Sequence, residues 1–274
     1  MIKSLLLVVI FVCSSTASAV SLGSKHAIMV DEHSGQILYQ KNATDIVPIA
    51  SLTKLMTAMV ILDAHLDMDA LITITDDDVD TLKFSSSRVP VGSTFARSVL
   101  LELALMSSDN RAAHALGRTY PGGMHHFLTA VRNKSMALTL RRTNIEEPTG
   151  LSPYNTSTAS DMAKIVLAAA NYPEIGQITS TSDDMIDVDG RATHYHNTNR
   201  LVSDKGWSIL LSKTGFTNEA GRCIAMRVHA AGRNVIMVLL NAHGSVNRTN
   251  DANRLHQLLI DGRSTEVMAE LRYK

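Results

Sequence analysis

A serine hydroxyl is a poor nucleophile at neutral pH unless a base stands beside it. The string PIASLTKLMTAMVIL, Pro48 to Leu62, carries Ser51 and Lys54 three residues apart. On a helix, residues at that spacing share a face one turn apart. A lysine serves as base only when neutral, a state favoured by burial and by a second cation nearby. Ser-x-x-Lys is also common, with roughly one chance match in a chain of this size. Taken alone, the pair is equally the polar edge of an amphipathic helix.

Two later strings shift that balance. SDN stands at Ser108–Asn110 and KTG at Lys213–Gly215. Lys-Thr-Gly is the rarer, arising by chance in about one chain in ten to twenty. Order and context carry the weight. The first string opens a helical stretch, the second sits in a break between two helical stretches, and the third ends a strand pattern. Ser108 and Asn110 can also serve merely as caps of the following helix, and Thr214 as an ordinary strand residue.

The elements that must position these residues follow from periodicity. HAIMV (26–30) and QILYQ (36–40) read as a hairpin around DEHSG. Helical spacing runs from Pro48 to about Ala64, over 98–106, through RAAHALG, over 124–138 and over 158–170, the last capped by Thr158. ALITIT (70–75) is a short strand, and 146–157 is a loop rich in turn formers. SILLSKTG (208–215), RCIAMRVHA (222–230) and NVIMVLLNA (234–242) are three strands, followed by a helix over 249–261. The order is strands, helices, strands and a terminal helix, without βαβ alternation. It predicts an α+β fold: one mainly antiparallel sheet, a helical lobe, and a cleft between them.

Composition bounds the rest. The chain has 274 residues, is 45% hydrophobic and has zero formal net charge, which suits one globular catalytic domain and gives no electrostatic footprint for nucleic acid. Lys3, LLLVVIFV and ASA at 17–19 form a secretory signal pattern, with cleavage expected after Ala19. Residues 1–19 are then leader and 20–274 the mature domain. A retained anchor would need a longer apolar run, and a lipid-modified Cys13 a smaller neighbour than Val12. Loss of Cys13 leaves Cys223 alone, so the mature chain has no internal disulfide and Cys223 reads as a small buried hydrophobe.

With its three strings in order, the sequence resembles the low-molecular-mass penicillin-binding proteins, which are D-alanyl-D-alanine carboxypeptidases and endopeptidases. The resemblance covers about 27–259 and includes VPVGSTF, EPTGLS, NTNRL and SKTGFTNEAG. It implies a β-lactamase/DD-peptidase-like fold and an exported, periplasmic enzyme acting on peptidoglycan stem peptides. β-Lactams would be its covalent inhibitors, with no metal or organic cofactor and no stable membrane anchor after signal cleavage. The short tail STEVMAELRYK, with no room for a further domain, resembles the penicillin-binding protein 7 endopeptidase type.

The resemblance also implies roles. Ser51 would attack the carbonyl of the penultimate D-alanine, with Lys54 as base and Lys213 as the cation that helps Lys54 lose its proton. Ser108 would relay a proton to the leaving amine, and Asn110 would hold the substrate amide. The backbone N–H groups of Ser51 and Phe216 would stabilise the oxyanion. Thr214 would bind a substrate carboxylate or peptide group, and Gly215 would let the substrate backbone approach the strand. Arg248 or Arg254 is a further candidate for carboxylate recognition.

Two rivals are weighed against this. A class A β-lactamase needs a glutamate for deacylation, and Glu146 and Glu147 lie in IEEPTGLS, which lacks that enzyme's loop pattern. A metal- or peptidoglycan-binding module would draw on the eleven histidines. His125 and His126 diverge on a helix, whereas His194 and His196 share one face of a strand. No third metal ligand is indicated in the sequence.

Overall fold

The computed structural model describes residues 21–262; the expected signal segment and the tail STEVMAELRYK lie outside them. In chain order the elements are β1 Ser24–Asp31, β2 Ile37–Lys41, β3 Val47–Pro48, α1 Thr53–Asp63, β4 Leu71–Thr73 and β5 Thr94–Ala96. They continue with α2 Arg97–Leu105, α3 Asn110–Arg118, α4 Gly123–Ala137, β6 Thr156–Ser157, α5 Ala159–Ala169 and α6 Pro173–Ser180. The last are β7 Asp183–Val188, β8 Arg191–His196, β9 Ser208–Thr217, β10 Gly221–Ala230, β11 Arg233–Ala242 and α7 Ser245–Ile260.

The early hairpin and the late meander do form one antiparallel sheet, in the order β2-β1-β11-β10-β9. Because strand side chains alternate between faces, the sheet separates two cores. Ile28, Ala225, Ile236, Val238 and Leu240 face the helical lobe. Ala27, Met29, Ile224, Met226, Met237 and Leu239 face α7. α1 runs through the lobe with nine buried residues, Thr53 to Ile61, as expected for a helix apolar nearly all round. Cys223 is fully buried, and burial pushes its thiol up to about 11, as expected of a packing residue and not a reactive one.

Three boundaries depart from the sequence pattern. Helical geometry does not begin at Pro48. Val47–Pro48 pairs with Thr156–Ser157, Ala50 sits at φ +48°, and a 3-10 turn over Ala50–Leu52 precedes α1. The Ile49 N–H donates to the Asn155 carbonyl at 3.0 Å, continuing that pairing. The terminal helix starts at Ser245, after Gly244 in the left-handed region (φ +81°), so Arg248 lies in its first turn. Between α5 and β9 the chain also builds α6 and a separate two-stranded hairpin, β7–β8, of which periodicity had marked only the His194–His196 strand.

β9 is an edge strand, bordered by β10 on one side and by the Ser51 turn on the other. The expected cleft opens there. It has a volume of about 640 Å³ and is lined by residues of the Ser51 turn, the Ser108 turn, the segment after β8, β9, β10 and the start of α7.

Candidate active site

Ser51 and Lys54 meet as their spacing predicts. Lys54 Nζ lies 3.0 Å from Ser51 Oγ, 2.7 Å from Asn110 Oδ1 and 2.8 Å from the Thr149 carbonyl. Three acceptors match the three N–H bonds of an ammonium. In the neutral amine, two N–H bonds keep Asn110 and Thr149, and the lone pair is left facing Ser51 Oγ. Asn110 is tied on its other side, donating to Ser85 Oγ at 2.8 Å.

The capping alternative for SDN is resolved by the residue between. Asp109 is the N-cap of α3, accepting from the Ala112 N–H at 3.0 Å and from Ser87 Oγ at 2.7 Å. That leaves Ser108 to line the cleft and Asn110 to bridge Lys54 and Ser85 behind it. Ser108 adopts φ +62°, a costly conformation for a residue other than glycine. It accepts from Lys213 Nζ at 2.8 Å, and Lys213 also donates to the Thr214 carbonyl at 3.0 Å.

Both lysines are 1% exposed. Burial lowers Lys54 to about 8, against the opposing pull of Glu147, Asp109 and Asp80. Burial, and then the charges of Lys54 and Arg248, hold Lys213 well below the usual lysine range. Burial is the first cause of the lowering at both lysines, and at Lys213 the positive charge of Lys54 adds to it. The two titrate as a coupled set.

Thr214, Gly215, Phe216 and Arg248 all line the cleft beside Ser51 and Ser108. Arg248 is 9% exposed, and its Nε is the sole buried side-chain polar atom without a partner among the described residues. Its Nη1 has only a long contact, 3.4 Å, to the Cys223 carbonyl. A buried guanidinium with spare donors suits a carboxylate, and Arg200 and Arg222 line the same cleft. Arg254 does not belong to the site: it is exposed and bonds the Ser21 carbonyl, three residues further along α7 from the buried Asp251. Thr214 Oγ1 donates to Thr198 Oγ1 at 2.7 Å, and Phe216 is half exposed under the Arg222 guanidinium, 3.8 Å from the ring centroid.

Gly215 has a different neighbour from the one expected. A Cβ there would lie 3.0 Å from the Ser51 nitrogen and 3.1 Å from Ala50 Cβ and the Ile49 carbonyl oxygen. Its smallness lets β9 abut the Ser51 turn, bringing together the backbone segments that carry the Ser51 and Phe216 amides.

Several contributors escaped sequence reasoning. Glu147 is spent on structure: its carboxylate accepts from the N–H groups of Thr149, Gly150 and Ser152 and from Asn155 Nδ2. That holds the Thr149 carbonyl on Lys54. Gly150, at φ +87°, brings this loop so close that a Cβ would lie 2.0 Å from the Ala50 carbonyl oxygen. EPTGLS and NTNRL hold Glu147, Gly150 and Thr198, but nothing in their spacing discloses those contacts.

The fold and cleft define a DD-peptidase of the β-lactamase-like class. A DD-transpeptidase of Streptomyces superposes with a TM-score of 0.80 at 25% identity, over 86% of this chain and 96% of that one. The chain belongs to the D-alanyl-D-alanine carboxypeptidase family, whose model matches residues 13–244. It is 40% identical to a D-alanyl-D-alanine endopeptidase of Pseudomonas aeruginosa, over 97% of this chain and 91% of that protein. It is likewise 40% identical to a D-alanyl-D-alanine endopeptidase of Escherichia coli, over 95% of this chain and 85% of that protein.

Proposed function

We propose that the protein is an exported serine DD-peptidase that cleaves D-alanyl bonds between cross-linked peptidoglycan stem peptides. The observation that carries this is the pairing of Ser51 with Lys54 and of Ser108 with Lys213, both serines lining one cleft with Arg248, whose Nε has no partner. The names of the 40% identical relatives favour endopeptidase over carboxypeptidase action. Processing near Ala19 and a periplasmic location belong to the same reading. No described helix is long and apolar enough to cross a membrane.

Neutral Lys54 takes the Ser51 proton as Ser51 Oγ bonds to the D-alanyl carbonyl carbon. The carbonyl oxygen becomes an oxyanion held by the Ser51 and Phe216 N–H groups. Ser108, held by Lys213, gives its proton to the departing amine and regains one from the lysines as the C–N bond breaks. Water then cleaves the ester by the reverse proton path. Asn110 holds the substrate amide while keeping Lys54 in place. Arg248 and Thr214 receive the substrate carboxylate.

The pathway uses no metal or cofactor, and β-lactams enter it as substrates whose acyl-enzyme persists. A β-lactamase is disfavoured because Glu147, saturated by backbone donors, has no oxygen free to activate water. The test is incubation with cross-linked muropeptide dimers and with pentapeptide monomers, followed by mass analysis. Monomers released from dimers support the reading; loss of terminal D-alanine alone shifts it to carboxypeptidase. Rapid multiple turnover of penicillin rejects it.

A further inference from the structure

The β7–β8 hairpin stands outside the main sheet as its own two-stranded ribbon. Its register sets Asp183 opposite His196 and Met185 opposite His194. Asp183, His194 and His196 therefore project from one face, and all three are exposed. One imidazole nitrogen from each histidine and one carboxylate oxygen lie within 4.8 Å of one another. A tetrahedral ion with bonds near 2.0 Å spaces its ligands about 3.3 Å apart, so small side-chain rotations suffice to close on it. His194 Nε2 already sits 2.9 Å from Asp183 Oδ1, and the His194 and His196 ring centroids are 4.1 Å apart. Asp183 Oδ2 accepts from Ser182 Oγ at 2.6 Å, which orients the carboxylate as an outer-shell partner does in metal sites. The third ligand that the sequence does not indicate is thus supplied across the strand.

We propose that Asp183, His194 and His196 bind one divalent transition-metal ion of the Zn²⁺ type, leaving an open coordination position. Two imidazoles and one carboxylate suit that ion and are a poor set for Ca²⁺ or Mg²⁺, which take oxygen ligands. The ion has a mechanical consequence. Asp183 and His196 form the base of the hairpin, and the adjoining Asn197 N–H donates to the Ser182 carbonyl at 2.7 Å. An isolated two-stranded ribbon is marginal in water, and metal across its base clips the two strands together. The next residue, Thr198, lines the cleft. On the other side, Arg88 Nη1 donates to the His194 carbonyl at 2.7 Å and Tyr195 Oη donates to the Arg88 carbonyl at 3.1 Å. That joins the hairpin to the loop carrying Ser85 and Ser87. The site takes no part in acyl transfer, so its test does not depend on the reading of the cleft.

The experiment uses the untagged protein, stripped with a chelator and titrated with Zn²⁺ by calorimetry. Bound metal is counted after dialysis, and Co²⁺ substitution reports the coordination spectrum. One equivalent bound at low-micromolar free Zn²⁺ is expected, with a metal-dependent rise in melting temperature. His194→Gln, His196→Gln and Asp183→Asn should each weaken binding by at least about tenfold, while His125→Gln/His126→Gln leaves it unchanged. Circular dichroism of the metal-free variants checks that they are folded. Absence of stoichiometric binding, or binding that survives all three substitutions, overturns the proposal.

Discussion

At the residue scale the decisive quantity is the charge on two buried lysines. Lys54 is lowered to about 8 by burial, so its neutral fraction grows as pH rises toward that value. Acylation by a fluorescent penicillin should accelerate from pH 6 to pH 8 and then level off, measured under single-turnover conditions. Lys54→Arg cannot lose a proton and should slow acylation by about 10²–10⁴-fold. The substitution leaves the rate unchanged if Lys54 is only a structural cation. Stability carries the same signature. The folded value lies below the unfolded one of 10.5, so the unfolded chain holds the extra proton between the two. Folding from this group therefore gains stability as pH rises from about 8 toward 10.5, by an order of a few kcal/mol. Asp78 has the same sign in an acid window. Burial would raise its carboxyl, but hydrogen bonds from His114 and Arg118 outweigh that and hold it well below its usual 3.8. Its stabilisation is complete above pH 3.8 and is lost as pH falls below that. Asp78→Ala removes the buried carboxylate that accepts from the Thr75 N–H, His114 and Arg118, and should cost about 1–3 kcal/mol in denaturant titrations.

At the element scale the site depends on two glycines and a cap. Gly150 allows the Glu147 loop to meet the Ser51 turn, and Gly215 allows β9 to do the same from the other side. Gly150→Ala combines a positive φ with a Cβ 2.0 Å from a backbone oxygen that cannot move away cheaply. It should lower both melting temperature and acylation rate. Gly215→Ala meets its nearest atom at 3.0 Å and should hinder acylation more than folding. A larger loss of stability at Gly215 than at Gly150, read from paired melts, would contradict this ordering. Asp109 caps α3, so Asp109→Ala should cost about 1 kcal/mol. It should also slow acylation, because Ser108 and Asn110 flank the cap.

At the scale of the whole molecule, one sheet holds two cores. Val238 faces the helical lobe and Leu239, its neighbour on β11, faces α7. Leu239→Ala should therefore cost about 2–5 kcal/mol although it lies on the side of the sheet away from α1. Any slowing of the penicillin reaction in the folded variant should come through α7, whose first turns line the cleft, and should be smaller than that of Lys54→Arg. The three strings work only because the fold brings residues 51, 108 and 213 together, which local periodicity cannot show.

The sequence by itself determined much of this protein. Short apolar runs bounded by turn residues marked β1, β10 and β11, since each strand is apolar on both faces of a sheet with a core on either side. Helical spacing marked α1 to α5. Ser51, Lys54, Ser108, Asn110, Lys213 and Thr214 stood out because their side-chain chemistry is local and their order legible. What only the tertiary structure decided depends on distance and burial. The α-helix starts only at Thr53 because Val47–Pro48 pairs with Thr156–Ser157, partners far along the chain, and Ala50 at φ +48° separates that strand from the helix. The lowering of both lysines follows from desolvation, which has no sequence signal. Glu147 and Gly150 act through loop contacts, Arg248 and not Arg254 faces the cleft because α7 begins earlier than its periodicity suggests, and Asp183 joins the histidines only across a strand pair.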